Sequence, residues 1–363
     1  MDAAAKALPP GSLVTVIDAG EEKLGVGTFN PHSLIAVRML TREAKTAIDR
    51  PFLAQRLRQA KGLRDLTIGC PYYRAVHAEA DGLGGLIVDR YGDVIVIQAN
   101  TAGMERLLPL ILAAVEEVFT PRAVVLKNDS PVRKLEGLEL YEKVERGNLS
   151  GPVELIENGA RFLADLTEGQ KTGWFYDQRD NRAAVAKLAK GKSVIDFYTY
   201  AGGFAVQAAL AGASRVVAVD RSEGSLALAS QAATLNNVSI EAVRADSFAE
   251  MERLAAAGER FGVVVSDPPA FVKSKKDLAA GAKGYRKMTR LAASLVEPGG
   301  FLLVASCSHH MPLDTFAEEV RHGLGQAGRS GRIIRVAGAG ADHPLHPHLP
   351  ESAYLKAQLL QLD

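Results

Sequence analysis

The feature that most restricts the fold of this 363-residue chain is a regular alternation of apolar and helical segments after Lys192. Five apolar runs with strand character are each followed by a segment of helical length, over residues 193–197, 215–219, 240–244, 261–266 and 300–306. Such alternation is typical of a parallel sheet that is covered by helices on both faces. Two further strands, expected over 332–336 and 354–359, complete a seven-stranded, doubly wound α/β sheet.

The preceding part of the chain has a less regular pattern. Short β-rich segments and a helix predicted over 51–61 indicate a small β-rich domain over residues 1–68. Residues 69–165 combine strands with one amphipathic helix and are assigned to an α+β middle domain, and residues 166–363 to the doubly wound domain. Asn158-Gly159, between two alternating segments, predicts a hairpin turn.

Charge and composition exclude several classes of protein. The chain has 43 basic and 42 acidic residues, so its net charge of +1 does not by itself indicate a polyanion partner. We find no apolar leader segment and no run long enough to span a membrane. Two distant cysteines, Cys70 and Cys307, do not form a disulfide framework, and we expect a reducing cytoplasm. Three histidines near the C-terminus alternate with prolines, which favours a loop over a metal site.

Acidic residues end the first three strands of the predicted sheet, where doubly wound folds bind ligands. Asp196 precedes a loop that contains Gly202-Gly203, a pair that allows the backbone to approach a ligand closely. Asp220 is placed to accept hydrogen bonds from both hydroxyls of a ribose, and Asp246 to meet an adenine amino group. A nicotinamide dehydrogenase is disfavoured because the G-x-G-x-x-G pattern is missing.

The next two strands are followed by candidate reactive residues. Asp267 follows the fourth strand and is held by Pro268-Pro269, two residues that fix a rigid turn. Cys307 follows the fifth strand and faces the same crevice. A cysteine at a strand end is often only a small buried residue, but its place beside Asp267 favours a nucleophile.

Taken as an ordered set, these motifs resemble the ribosomal RNA large-subunit methyltransferase I family. The resemblance covers nearly the whole chain and rests on these segments: Lys171-Thr172-Gly173, Asp177-Gln178-Arg179, the 200–204 loop, 267–271, Ser306-Cys307-Ser308, Asp342-His343-Pro344 and Tyr354-Leu355-Lys356. Residues 27–33 and 36–38 resemble the PUA-like RNA-binding domain of that family, and 79–89 resemble its middle domain.

The resemblance implies a class I, Rossmann-like methyltransferase domain that uses S-adenosylmethionine (SAM) to form 5-methylcytosine in 23S ribosomal RNA. It implies that Cys307 is the nucleophile and that Asp267 holds the target base. The residues expected at the cofactor are Gln178, Arg179, Asp196, Tyr198, Ala201, Gly202, Gly203, Phe204, Asp220, Arg221, Ser222, Asp246, Ser247, Phe248 and Asp267. Arg179 is placed to pair with the cofactor's carboxylate. A homodimer is compatible with the sequence.

A basic segment follows Phe271 and is the candidate contact for RNA phosphates. Its predicted RNA-binding residues are Lys273, Lys275, Lys276, Arg286 and Lys287. The competing interpretation is a solvated helix face.

Three other functions stay open on the sequence. A 5-methyluridine enzyme shares Asp-Pro-Pro and Ser-Cys, but such enzymes usually carry Arg where Ala270 stands and Pro where His309 stands. Amino-group methylation needs no cysteine and would use a turn with Tyr in place of Phe271. A non-catalytic RNA-binding protein that keeps the cofactor fold is the third.

Overall fold

A computed structural model describes residues 7–167, 169 and 171–363, which fall into two compact units. Unit 1 comprises Met1–Val153, Asp165–Tyr176 and Ala341–His348, and unit 2 comprises Glu154–Ala164, Asp177–Gly340 and Leu349–Asp363. The predicted first domain begins at residue 1, so its first six residues lie outside the described part. Unit 1 contains most of both smaller predicted domains, and the division into three stays a prediction.

Unit 1 contains two sheets. An antiparallel sheet in the order β1-β2-β3 is formed by β1 (Ser12–Ile17), β2 (Lys23–Phe29) and β3 (Val37–Thr41). A second sheet, in the order β4 to β8, is formed by β4 (Tyr72–His77), β5 (Leu86–Tyr91), β6 (Val94–Ala99), β7 (Ala123–Asn128) and β8 (Tyr141–Arg146). Its pairs are antiparallel except β6 with β7, which a helix connects.

Two long helices cover the core of the five-stranded sheet. Helix α1 (Arg50–Thr67) begins where the Asp49 carboxylate accepts a hydrogen bond from the Phe52 N–H, and it is longer than the predicted 51–61. Helix α2 (Ala102–Phe119) shares one apolar core with α1 and with this sheet. The predicted boundary at residue 68 therefore separates α1 from the core that it helps to bury. A short helix, α3 (Val132–Leu135), precedes β8.

Unit 2 contains the predicted seven-stranded sheet, in the order β13-β12-β11-β14-β15-β17-β16. Its strands are β11 (Ser193–Phe197), β12 (Arg215–Asp220), β13 (Glu241–Arg244), β14 (Phe261–Ser266), β15 (Val296–Ser306), β16 (Gly331–Ala337) and β17 (Lys356–Leu362). The first five are parallel, and β17 runs antiparallel to both of its neighbours. The last strand begins at Lys356, two residues after the predicted start.

A hairpin of β9 (Val153–Glu157) and β10 (Ala160–Ala164) also belongs to unit 2. Its turn residues Asn158 and Gly159 both have positive φ, as the sequence signal requires. The helices are α4 (Arg179–Ala189), α5 (Gly203–Leu210), α6 (Glu223–Leu235), α7 (Ser247–Ala256), α8 (Leu278–Ser294) and α9 (Leu313–Gln326).

Two apolar cores lie on opposite faces of the seven-stranded sheet. One contains residues of α8 and α9, and the other contains residues of α4 and α5. Because both faces are covered, the strands are almost continuously apolar, and polar side chains gather at the carboxyl ends. In the described residues, no helix is both long and apolar enough to cross a membrane.

Candidate active site

Asp196, at the end of β11, is buried beneath the loop that follows it. Its Oδ2 accepts hydrogen bonds from the Thr199 hydroxyl at 2.6 Å and from the Ala205 N–H at 3.2 Å. Burial raises the pKa of Asp196 to about 7, although both hydrogen bonds favour the ionised form. The position of this carboxylate shows that it holds the loop in shape; direct contact with the cofactor stays a prediction.

The loop itself has an unusual backbone. Tyr198, Tyr200 and Gly202 have φ values of 63°, 51° and 83°. For a non-glycine residue this left-handed conformation costs roughly 1–2 kcal/mol, and such strain is concentrated at functional sites. Packing behind the loop also requires the glycines, since a Cβ on Gly203 would lie 2.4 Å from Arg182 Nε.

Asp220, at the end of β12, has both oxygens engaged with the backbone. Oδ2 accepts from the Tyr200 N–H at 3.0 Å and Oδ1 from the Ser222 N–H at 2.8 Å. A carboxylate has about four acceptor positions, so two hydrogen bonds fix its orientation and leave capacity for ribose hydroxyls. The Ser222 hydroxyl caps α6, while Arg221 is exposed.

Asp246 precedes α7 and caps it, accepting hydrogen bonds from the backbone N–H groups of Phe248 and Ala249. Asp246 is therefore the N-cap of this helix, and its contact with an adenine stays a prediction. Ser247 is buried, and the ring of Phe248 stacks on Phe271 with centroids 6.0 Å apart. This stack connects the segment after β13 with the loop after β14.

Gln178 and Arg179 lie at the start of α4, and both are largely buried. Arg182, one turn further along, was not predicted from the sequence; its Nη1 donates to Glu157 Oε1 at 2.8 Å. Arg182 lies over the Phe204 ring and favours the ionised form of Asp196. The sequence does contain a signal for this pair. Alternate residues of β9 are buried, which places Glu157 inside, and a buried carboxylate needs a cation or hydrogen-bond donors as partners.

The structure brings Asp267 and Cys307 to one edge of the sheet. Strands β14 and β15 are parallel neighbours with Ser266 opposite Val304, and both candidate residues follow directly after these strands. Cys307 Sγ lies 3.8 Å from the Pro268 carbonyl oxygen. Both side chains are half-buried, so a substrate in the crevice can reach them.

Ser308 connects the two loops by hydrogen bonds, a role that was not predicted from the sequence. Its hydroxyl lies 2.8 Å from the Tyr285 hydroxyl and accepts a hydrogen bond from the Val272 N–H at 3.1 Å. All three residues are buried. The loop that carries Asp267 is thus fastened to the residue after Cys307.

Tyr354 and Lys356, at the start of β17, supply three further contacts. Lys356 Nζ donates to the Ser308 carbonyl at 2.6 Å, and burial lowers the pKa of this lysine. Tyr354 stacks on His309 with ring centroids 5.0 Å apart and donates from its hydroxyl to Asp177 at 2.6 Å. Tyr354 and Lys356 contributed to the family resemblance, but no role had been predicted for either.

The predicted RNA-binding residues divide into two groups. Lys273, Lys275 and Lys276 are exposed beside the loop that contains Asp267. Arg286 forms an ion pair with Glu319 at 2.6 Å, and Lys287 forms one with Glu252 at 2.9 Å. For the last two, the interpretation as a solvated helix face has structural support.

The strand order, the strained loop and the acidic strand ends define a SAM-dependent methyltransferase. A model of the S-adenosylmethionine-dependent methyltransferase family matches residues 143–358, and a PUA-like domain model matches residues 1–42. Two ribosomal RNA large subunit methyltransferase I proteins, from Cronobacter sakazakii and Escherichia coli, are each 36% identical to this chain. The alignments cover 96% and 95% of this chain and 89% of each relative. The chain therefore belongs to the ribosomal RNA large subunit methyltransferase I family.

Solved structures agree on the fold. A methyltransferase complexed with SAH superposes with a TM-score of 0.84 at 20% identity, covering 97% of this chain and 92% of the other. A protein from Streptococcus mutans described as a SAM-dependent methyltransferase has a TM-score of 0.82 with the same coverage. SAM is the cofactor of this family, and the carboxylate of Asp220, oriented at the crevice by two backbone N–H groups, fits a ribose.

Proposed function

We propose that this protein methylates carbon 5 of a cytosine in large-subunit ribosomal RNA, with Cys307 as the nucleophile. The names of its relatives support the RNA substrate. The observation that carries the chemistry is the thiol of Cys307 beside the turn that bears Asp267. Methylation of an exocyclic amino group needs no thiol at this position.

The chemistry follows from the low nucleophilicity of carbon 5 in a pyrimidine. The Cys307 thiolate adds to carbon 6 and shifts electron density to carbon 5. Bound SAM supplies an electrophilic methyl group. Asp267 holds the base: its carboxyl group accepts a hydrogen bond from the exocyclic amino group and, when it carries a proton, donates one to N3. Uracil has neither this amino group nor an acceptor at N3, so the contact favours cytosine. After methylation, a base removes the proton from carbon 5 and the thiolate is released.

RNA must reach this crevice with the target base out of its helix, because carbons 5 and 6 are covered in a stacked duplex. The exposed Lys273, Lys275 and Lys276 are placed to contact the phosphates on either side of such a base. We assign the PUA-like segment over residues 1–42 to the same task of RNA binding.

The test combines a substitution with a mechanism-based trap. Cys307→Ala should abolish methyl transfer to ribosomal RNA and leave SAM binding intact, whereas Cys70→Ala, the matched control in unit 1, should retain activity. Wild-type protein should form a covalent adduct with RNA that contains 5-fluorocytidine, because fluorine cannot leave as a cation.

Each alternative function predicts a different result. Turnover by Cys307→Ala without a trapped wild-type adduct would refute the proposal in favour of amino-group methylation. Trapping by 5-fluorouridine RNA alone would indicate a uridine enzyme. No transfer to any RNA by the wild type would indicate a binding protein.

A further inference from the structure

Lys356 occupies an unusual position for a lysine. It is the first residue of β17, pairs with Ser306 of β15, and is only 5% exposed. Cys307 is the residue after Ser306, so a buried cation lies beside the thiol that the proposed mechanism uses. Burying an ammonium group is costly unless an anion or several hydrogen bonds compensate it.

Among the described residues, the ammonium of Lys356 contacts a carbonyl oxygen and has no carboxylate partner. In the part of the chain that the structure describes, its ammonium donates to the Ser308 carbonyl at 2.6 Å and interacts electrostatically with Cys307. Lys127 shows the usual arrangement, since this buried lysine, 1% exposed, pairs with Glu142 at 2.7 Å. Within the described part of the chain, the thiolate of Cys307 would be the anion that compensates the Lys356 ammonium.

Further titratable groups of the described residues lie near Cys307 on the neighbouring loop, on α8 and on its own loop. Asp267, which precedes Pro268 on the loop after β14, is acidic and opposes a second negative charge. Tyr285 from α8 interacts with Cys307, but burial raises the pKa of this phenol, so it stays neutral at pH 7. His309 and His310 follow on the same loop and are exposed.

We propose that Lys356 is a positioning residue whose ammonium holds Cys307 as the thiolate before RNA binds. The use of this thiolate in catalysis rests on the proposed function. The charge state itself is a property of the free protein, and the thiol proton is released to solvent. The hydrogen bond to Ser308 fixes the ammonium at the end of β15, so the field at the sulfur is already in place.

The experiment measures the pKa of the Cys307 thiol from the pH dependence of iodoacetamide alkylation, in a Cys70→Ser background and without SAM. We expect a wild-type pKa at least one unit below the ordinary value of about 8.5. Lys356→Met should raise it and slow alkylation at pH 7 by about tenfold. Lys356→Arg, which keeps the charge, should retain most of the shift.

Lys127→Met is the matched control, because it removes a buried lysine in unit 1 and should leave the alkylation profile unchanged. A wild-type pKa near 8.5, or equal profiles for wild type and Lys356→Met, would overturn the proposal. If Lys356→Met fails to fold, the wild-type and Lys356→Arg profiles still test the proposal, because both should show a thiol pKa below 8.5. Failure of the proposed function is seen separately, as methylation by Cys307→Ala, and does not affect these pKa values.

Discussion

Replacing Ser308 with Ala should loosen the loop that carries Asp267 without emptying the cofactor site. The change removes the acceptor of the Val272 N–H, whose residue is 1% exposed, and one partner of the Tyr285 hydroxyl. A buried N–H left without a partner costs roughly 1–3 kcal/mol. The Tyr285 hydroxyl retains the Ser306 side chain as a partner, so its loss is smaller. We expect a local destabilisation of about 2 kcal/mol.

Hydrogen exchange at the Val272 amide measures this local effect directly. About 2 kcal/mol corresponds to roughly 30-fold faster exchange when exchange follows local opening. Turnover should fall because Asp267 and Cys307 no longer hold a fixed separation, while SAM affinity should change little. Ser294→Ala is the control, since the hydroxyl of Ser294 donates to the Leu291 carbonyl within α8 and away from both loops. Unchanged exchange at Val272 with normal turnover would refute the account of Ser308 as the tie between the two loops.

Three further predictions concern charges at the site. Asp220→Ala should weaken SAM binding by about 2 kcal/mol in calorimetry, the scale of hydrogen bonds to a charged group, and unchanged affinity would remove Asp220 from the ribose site. Asp196 has a raised pKa, so the folded state keeps a proton that the unfolded chain releases. The free energy of unfolding should therefore decrease as the pH rises from about 4 to about 7, by at most about 1.4 kcal/mol per pH unit. Asp196→Asn should abolish this decrease, as measured by urea unfolding at several pH values. Replacing Lys275 and Lys276 with Gln should weaken RNA binding and flatten its salt dependence more than replacing the ion-paired Arg286 and Lys287, and equal effects would contradict the division of the basic segment.

The sequence predicted the doubly wound sheet well because its strands carry a local signal. Apolar runs such as the one in β14 are separated by helices with caps, and each strand end is marked by a polar residue. The limits of α1 were predicted less well. The pattern over 51–61 is helical, but its continuation to Thr67 depends on Arg64, which is buried against the Asp81 carboxylate and the Arg74 carbonyl. A charged residue in a core gives no periodic signal.

The candidate site shows the same limit. Residues that end strands were placed at the crevice from topology alone, whereas Arg182, Ser308 and Lys356 act through contacts with residues 25 to 48 positions away in sequence. Spacing along the chain does not reveal such pairs. Gly203 shows a second limit of prediction from sequence. A side chain at this position is excluded partly by Arg182, which packs behind the loop and is distant in sequence.

The distribution of charge explains why the basic segment lies where it does. Asp196, Asp220, Asp246 and Asp267 lie at the carboxyl ends of four neighbouring parallel strands. Burial raises the pKa of Asp196 to about 7, so Asp196 is only partly ionised at neutral pH. The negative charge of the other carboxylates at this edge attracts the sulfonium of SAM and, by the same field, repels RNA phosphates. Cations are therefore needed at the rim, and the exposed lysines at 273, 275 and 276 follow directly after the loop that bears Asp267. A thiolate at Cys307, as proposed, would add one more negative charge at this acidic edge, and the ammonium of Lys356 would compensate it.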